Sequence, residues 1–201
     1  MVRLADKRRS ILDGALATFA RDGYTRASID AISAAAGVST RTIYNHFADK
    51  AALFGAVIEE SATRVADAQT ATIDRHLSKV TDLEADLVAF AIAWVRSTEE
   101  FPDHFALVRQ VNVETAHVPE AALVAWQENG PLRAQRELAA KFSELADRGL
   151  LRLDDPVRGA IHFMMLVSTQ NPSLRTRPTE AELDEIATTG VRAFLYGYRA
   201  H

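Results

Sequence analysis

Residues 37–47 have the sequence GVSTRTIYNHF, and this short stretch decides the fold of the chain. It follows residues 28–36, an amphipathic segment whose apolar side chains recur at helical spacing. Gly37 can take a positive φ without steric cost, and Ser39 is a favourable N-cap for a second helix. The pattern therefore predicts two short helices joined by a tight turn.

The second of these helices has a polar face. Val38, Ile43 and Phe47 can turn inward. The residues left mostly outside are Thr40, Arg41, Thr42, Tyr44, Asn45 and His46. Such a helix after a glycine turn is typical of a helix-turn-helix, whose second helix enters the major groove of DNA. An ordinary helical hairpin with a polar surface would give the same pattern, so both interpretations stay open at this point.

The composition favours an all-α protein. Hydrophobic residues make up 48% of the 201 residues, glycine is scarce at 9, and strand-like alternation is rare. Cysteine is absent from the sequence, which excludes disulfides, thiolate catalysis and cysteine-based metal sites. The length allows one or two domains with a substantial core.

Charge is unevenly divided along the chain. The net charge is −4, yet residues 1–50 contain eight Lys or Arg against five Asp, and the remainder contains 15 basic and 22 acidic residues. A basic head on an acidic body is expected of a small DNA-binding module attached to a second domain. Arg3, Lys7, Arg8 and Arg9 form either an arm that touches a minor groove or a solvated helix face.

The sequence predicts neither export nor membrane insertion. No apolar segment follows the basic start, so a signal peptide is not expected. The longest apolar run, residues 88–95, is too short to cross a bilayer. We expect a soluble, cytoplasmic protein.

Hydrophobic periodicity predicts about nine helices. The expected segments are 6–22, 28–36, a short helix after Ser39, a long helix capped by Asp49, then 82–98, 103–116, 120–148, 156–169 and 179–199. Pro102, Pro119 and Pro156 stand where helices should begin, and Gly149 stands where one should end.

In these features the chain resembles the tetracycline-repressor (TetR) family of transcriptional regulators. The resemblance is carried by the apolar residues of 11–19, Gly23-Tyr24, Ser28-Ile29 with Ile32, residues 36–39, Thr42-Ile43-Tyr44, His46-Phe47, and Lys50 with Leu53. It implies a DNA-binding helix-turn-helix domain over residues 1–48. It also implies a helical domain for effector binding and dimerisation over residues 49–201.

The resemblance implies roles for residues of the head. The DNA-binding set is Arg26, Ser28, Ser39, Thr40, Arg41, Thr42, Tyr44, Asn45, His46 and Lys50. Contacts with phosphates are expected of five of them: Arg26, Ser28, Tyr44, His46 and Lys50. Arg41 can bond to guanine and Asn45 to adenine. The alternatives are that Lys50 is only a solvated charge and that His46 closes the fold.

The resemblance further implies a homodimer on a palindromic operator and a pocket for a small, largely apolar effector. The candidates for the dimer interface are His162, Phe163, Leu166, Val191, Phe194, Leu195 and Tyr198. The candidates for the pocket are Phe90, Trp94, Phe105, Arg109, Asn112, Trp126 and Met165. For both sets the alternative is a role in the core of one chain, because apolar stripes at helical spacing are usually core.

The expected function is that of a ligand-responsive transcriptional regulator, and the expected mode of regulation is repression. The alternative is a ligand-independent DNA-binding or protein-docking member of the same fold. An enzyme is disfavoured because the sequence contains no HExxH pattern, glycine-rich phosphate loop or nucleophile elbow. The expected partners are double-stranded DNA, a second copy and a small molecule, with no cofactor, metal or membrane.

Overall fold

Helices form most of the chain that this computed structural model describes, residues 2–168 and 178–198. They are α1 (Val2–Arg26), α2 (Ile29–Ala36), α3 (Thr40–His46), α4 (Lys50–Leu77), α5 (Leu83–Glu99), α6 (Pro102–Val113), α7 (Glu120–Asn129), α8 (Pro131–Asp147), α9 (Pro156–Leu166) and α10 (Glu180–Tyr198). The predicted all-α fold is confirmed.

The predicted helix 120–148 is divided at Gly130. This residue has a non-helical conformation, with φ −110° and ψ −105°. Pro131 follows it and begins α8, a position where the missing N–H of proline costs nothing. The expected count of about nine helices therefore becomes ten among the described residues.

The connection between α2 and α3 has the predicted geometry. Gly37 lies in the left-handed region, with φ 64° and ψ 32°. Ser28 Oγ accepts a hydrogen bond from the N–H of Ala31, and Ser39 Oγ accepts one from the N–H of Thr42, both at 3.1 Å. Each short helix therefore begins at a capping hydroxyl, and glycine ends the first of them.

One compact unit consists of Met1–Ala66 and Phe101–Pro131. It contains α1, α2, α3, the first part of α4 up to Ala66, α6 and α7. Its buried cluster includes Ile11, Leu12, Ala15, Phe19, Ile32, Ile43, Leu53, Phe54, Leu107 and Val111. A Cβ placed on Gly14 of α1 would lie 2.7 Å from the backbone nitrogen of Ala36. Helices α1 and α2 therefore pack at a distance that only glycine permits.

A second compact unit consists of Asp67–Glu100 and Leu132–His201. Its described part contains the end of α4, α5, α8, α9 and α10. Phe142 packs against Phe163 and Phe194 with ring centroids 5.4 and 5.3 Å away. A Cβ placed on Gly190 of α10 would lie 2.9 Å from the carbonyl carbon of Leu166 in α9. Glycine is therefore required where these two helices cross.

Packing divides the chain differently from the functional boundary predicted at residue 48. Helices α6 and α7 share a hydrophobic cluster with α1, α2 and α3, although they lie far beyond that boundary. The functional division stays a prediction, because packing does not test it. Within residues 2–168 and 178–198, none of the helices combines the length and apolarity needed to span a bilayer.

Candidate nucleic-acid interface

Helix α3 has one buried face and one exposed polar face. Ile43 is 1% exposed and Phe47, directly after the helix, is 8% exposed. On the opposite side Arg41 and Asn45 are exposed, and Tyr44 is 55% exposed. The inward and outward faces of this helix are confirmed for these five residues, whereas the remaining residues of the predicted division are half-buried: Val38, Thr40, Thr42 and His46.

Two exposed side chains of α3 are available for hydrogen bonding. Arg41 and Asn45 form no side-chain hydrogen bond or ion pair with any other residue that the structure describes. A guanidinium group can bond to guanine O6 and N7, and a carboxamide can bond to adenine N6 and N7. Thr42 differs, because its hydroxyl lies 2.8 Å from the Ser39 hydroxyl at the N-cap. Arg41 and Asn45 are therefore the strongest candidates for contacts with bases.

The start of α2 offers a second polar surface, formed by Arg26 and Ser28. Both residues are exposed. The Ser28 hydroxyl accepts the N–H of Ala31, so its own hydrogen remains available for donation. Arg26 Nε donates to the carbonyl of Asp22 at 2.9 Å, and the terminal nitrogens of the guanidinium group remain available as donors. These donors, with the positive end of the α2 dipole, suit a phosphate group.

Lys50 contacts the backbone of the connection between α1 and α2. Its Nζ donates to the carbonyls of Tyr24, Thr25 and Ala27 at 3.0, 3.4 and 3.2 Å. The same nitrogen lies 4.7 Å from the centroid of the Tyr24 ring. An ammonium group has three hydrogens, and these three carbonyls occupy them. Lys50 is thus more than a solvated charge, and its predicted phosphate contact stays a prediction.

Glu114, which the sequence analysis did not single out, supports the same connection from the end of α6. Gly23 has φ 79° and ψ 173°, a conformation that breaks the helical pattern inside α1. The N–H of Thr25 donates instead to Glu114 Oε2 at 3.0 Å. Because the two residues are 89 positions apart, no local sequence pattern could have paired them.

Arg8 and Arg9, near the start of the chain, lie on a helix face. Arg8 Nη1 is 3.4 Å from Glu60 Oε2, and its guanidinium carbon is 5.8 Å from the centroid of the Phe47 ring. Arg9 Nε is 3.2 Å from an aspartate carboxylate one turn later. Since α1 already begins at Val2, the structure favours the helix face over a separate arm.

His104 of α6 is a buried polar residue of the first unit, 6% exposed. Its Nδ1 lies 3.0 Å from Ser61 Oγ, and that hydroxyl donates to the carbonyl of Ile58 at 3.2 Å. Nδ1 therefore carries a hydrogen and donates it to the hydroxyl oxygen. Burial, reinforced by the positive charge of Arg64, lowers the pKa of His104 to about 4. The ring is neutral at neutral pH.

Four residues predicted at the dimer interface lie in the core of a single chain. Phe163, Val191, Phe194 and Leu195 are 0%, 0%, 1% and 5% exposed, respectively. They pack inside the second unit, which agrees with the alternative role in the core of one chain, and their place at an interface stays a prediction. Leu166 is 41% exposed. His162 is also exposed, and its Nδ1 lies 2.5 Å from the half-buried Tyr198 Oη.

The predicted pocket residues are distributed over both units and differ in burial. Phe90 is 0% exposed and Met165 is 74% exposed. Trp94, Phe105 and Trp126 are half-buried, whereas Arg109 and Asn112 are exposed. That these seven residues line one pocket stays a prediction.

The fold and the exposed face of α3 define a DNA-binding protein of the helix-turn-helix class. Comparison with known proteins identifies its family. The family model described as bacterial regulatory proteins, tetR family, matches residues 11–57. The model described as AefR-like transcriptional repressor, C-terminal domain, matches residues 87–200.

Relatives and solved structures agree with these matches. HTH-type transcriptional repressor AcnR of Corynebacterium efficiens is 26% identical over 152 residues, which are 76% of this chain and 72% of that protein. An HTH-type transcriptional repressor of Mycobacterium tuberculosis is 46% identical over 63 residues, which are 31% of this chain and only 34% of that protein.

Two solved structures match nearly the whole chain. A protein of Mesorhizobium loti assigned to the TetR family has 30% identity and a TM-score of 0.88, with 98% of this chain and 99% of that chain covered. The flavonoid-responsive regulator FrrA has 28% identity and a TM-score of 0.67, with 96% and 97% covered. The chain belongs to the TetR family and is a DNA-binding transcriptional regulator. Its family and relatives are regulators of transcription, not enzymes.

Proposed function

We propose that this protein is a repressor that binds a palindromic operator as a homodimer and leaves it when a small molecule binds. The observation that carries the proposal is the exposed face of α3, where Arg41 and Asn45 have no side-chain partner among the described residues. One such face contacts few base pairs, so two copies related by a two-fold axis would bind a palindrome. The similarity to the repressor AcnR supports repression as the sign of regulation.

The second copy is expected on the exposed apolar side chains of α9 and α10. Val157, Met165 and Leu166 of α9 are 45%, 74% and 41% exposed, and Tyr196 of α10 is 95% exposed. Large apolar side chains exposed on neighbouring helices are typical of protein interfaces. Leu166 therefore remains a candidate for the dimer interface, and Val157, Met165 and Tyr196 are preferred to the four buried residues.

The similarity to the flavonoid-responsive FrrA supports a small-molecule effector. An effector that binds better to a DNA-incompetent conformation lowers operator occupancy by shifting the population of dimers. To reverse a 99:1 preference for the DNA-competent conformation, the free energies of effector binding to the two conformations must differ by about 5.5 kcal/mol. The half-buried Phe105 and Trp126 are candidates for contacts with an apolar effector.

Selection from a random duplex library, followed by fluorescence anisotropy, tests the DNA-binding part of the proposal. We expect a palindrome to be enriched, and we expect Arg41→Ala to weaken its binding by about 1–3 kcal/mol. Arg152→Ala removes the same charge from an exposed residue of the second unit and should bind as the wild type does. No enriched sequence, or equal weak binding by all three proteins, would refute the proposal.

Sedimentation velocity tests the dimer. The wild type should sediment as a dimer, and Met165→Asp should dissociate it because the new carboxylate would be buried unpaired in the interface. Val124→Asp, at an apolar residue of α7 that is 52% exposed, introduces the same charge in the first unit and should leave the dimer intact. A wild type that remains monomeric at micromolar concentration with its operator present would contradict the proposed homodimer.

A further inference from the structure

The backbone of Glu114, at the end of α6, is hydrogen-bonded on both sides. Its N–H donates to the carbonyl of Gln110 at 2.9 Å, and its own carbonyl accepts the N–H groups of His117 and Val118 at 2.8 and 3.2 Å. These backbone hydrogen bonds fix the point from which its side chain extends. The carboxylate therefore extends from a hydrogen-bonded turn.

The carboxylate occupies the space that a side chain at position 23 would need. A Cβ placed on Gly23 would lie 2.7 Å from Glu114 Oε1 and 3.0 Å from Oε2. Glycine at this position thus permits both the positive φ and the approach of Glu114. The N–H of Thr25, which the kink removes from the regular helical pattern, donates to Oε2. A hydrogen bond to a carboxylate is about twice as strong as one between neutral groups.

Two opposite charges thus fix one short segment, residues 23–28. Glu114 accepts the N–H of Thr25, while Lys50 donates to the carbonyls of three residues of the same segment. Arg26 and Ser28, the two candidate phosphate contacts before α2, lie within it. The segment that carries these two donors is therefore oriented by residues on α4 and at the end of α6.

We propose that Glu114 is a positioning residue for DNA binding, which acts on phosphate contacts only through residues 23–28. The proposal rests on the DNA-binding face described above and adds a residue outside the helix-turn-helix to it. An ordered connection reduces the entropy cost that Arg26 and Ser28 incur when they bind phosphate. Loss of Glu114 should weaken binding without removing a phosphate contact.

The dependence of affinity on salt distinguishes this role from direct contact. We expect Glu114→Ala to weaken operator binding about tenfold. The slope of log K against log salt should stay that of the wild type, because the number of phosphates neutralised is unchanged. Arg26→Ala should lower both the affinity and the slope, the slope by about one for each phosphate that is no longer neutralised. Glu120→Ala, an exposed glutamate of α7, removes the same charge and should have little effect.

Two further measurements complete the test. Glu114→Gln keeps an acceptor for Thr25 and should bind the operator better than Glu114→Ala. Amide hydrogen exchange at Thr25, measured without DNA, should accelerate about tenfold in Glu114→Ala if a local hydrogen bond is removed. Wild-type affinity in Glu114→Ala, an altered salt slope, a Gln variant no better than Ala, or unchanged exchange at Thr25 would each overturn the proposal. If the wild type selects no operator, the proposed function fails. Exchange at Thr25 still shows whether its N–H is hydrogen-bonded to the Glu114 carboxylate.

Discussion

Replacement of Lys50 by methionine separates two roles for this residue. The sequence resemblance implies a contact between Lys50 and phosphate, whereas the structure places its ammonium group on the carbonyls of Tyr24, Thr25 and Ala27. Methionine keeps an unbranched side chain, shorter by one atom, and removes the charge and the three donors. The two roles predict different changes in stability and in the salt dependence of DNA binding.

The expected decrease in stability follows from the contacts. Hydrogen bonds that involve a charged group contribute about 1.5–3 kcal/mol in favourable cases, and the contact with the Tyr24 ring adds about 0.5–1 kcal/mol. Lys50 is half-buried and one of its three hydrogen bonds is long at 3.4 Å, so we expect a total of about 2 kcal/mol. For a chain of this size that corresponds to a Tm lower by about 4–8 °C.

Thermal unfolding and operator titrations at several salt concentrations provide the assay. Lys50→Met should lower Tm by the stated amount and leave the salt slope of operator binding unchanged. Lys79→Met, at an exposed lysine of the second unit, is the matched control and should leave both unchanged. If Lys50→Met keeps the wild-type Tm and lowers the slope by about one per half-site, the ammonium group contacts phosphate and the structural role is refuted.

Three further predictions concern packing and pH. Gly14→Ala should destabilise the protein by about 1–3 kcal/mol in urea unfolding, because its Cβ would meet the backbone of α2; unchanged stability would show that the two helices separate freely. Gly190→Ala should cost a similar amount against the backbone of α9. A Cβ at Gly197 would have no atom within 4 Å, so Gly197→Ala should not be destabilising. Equal effects of Gly190→Ala and Gly197→Ala would contradict the close crossing of α9 and α10. The pKa of His104 is about 4 in the folded chain against 6.5 for the free side chain, so the unfolded state binds its proton first as the pH falls. Stability should then decrease by about 3 kcal/mol between pH 6.5 and 4, and His104→Gln should show a correspondingly smaller decrease in acid unfolding.

The helix-turn-helix could be predicted from sequence because its determinants are local. Gly37 adopts the left-handed conformation and Ser28 and Ser39 cap their helices. Asp49 Oδ1 accepts the N–H of Ala52 at 2.7 Å at the start of α4, as expected. Each of these interactions joins residues no more than four positions apart, so periodicity and capping preferences suffice to find them.

Candidates for a dimer interface could not be chosen in the same way. Periodicity marks one apolar stripe on a helix, but it does not say whether the stripe faces the same chain or another one. Phe163 and Phe194 proved to contact each other, with centroids 5.3 Å apart, whereas Met165 and Tyr196 are exposed. The contacts of Lys50 and Glu114 were missed for a related reason, since their partners are distant in sequence and are brought close only by the tertiary fold.

The shared core of the first unit restricts how regulators of this kind can be recombined. A chimera that exchanges residues 1–48 for those of a relative would place a foreign α1 against the resident α6. It would also break the pairing of Gly23 with Glu114 unless the donor carries glycine at the first position. An exchange that transfers α6, α7 and the first part of α4 together with α1–α3 would keep both the buried cluster and this contact. The unit that must be exchanged as a whole is therefore discontinuous in sequence, and DNA specificity is best transplanted by substitution of the α3 surface alone.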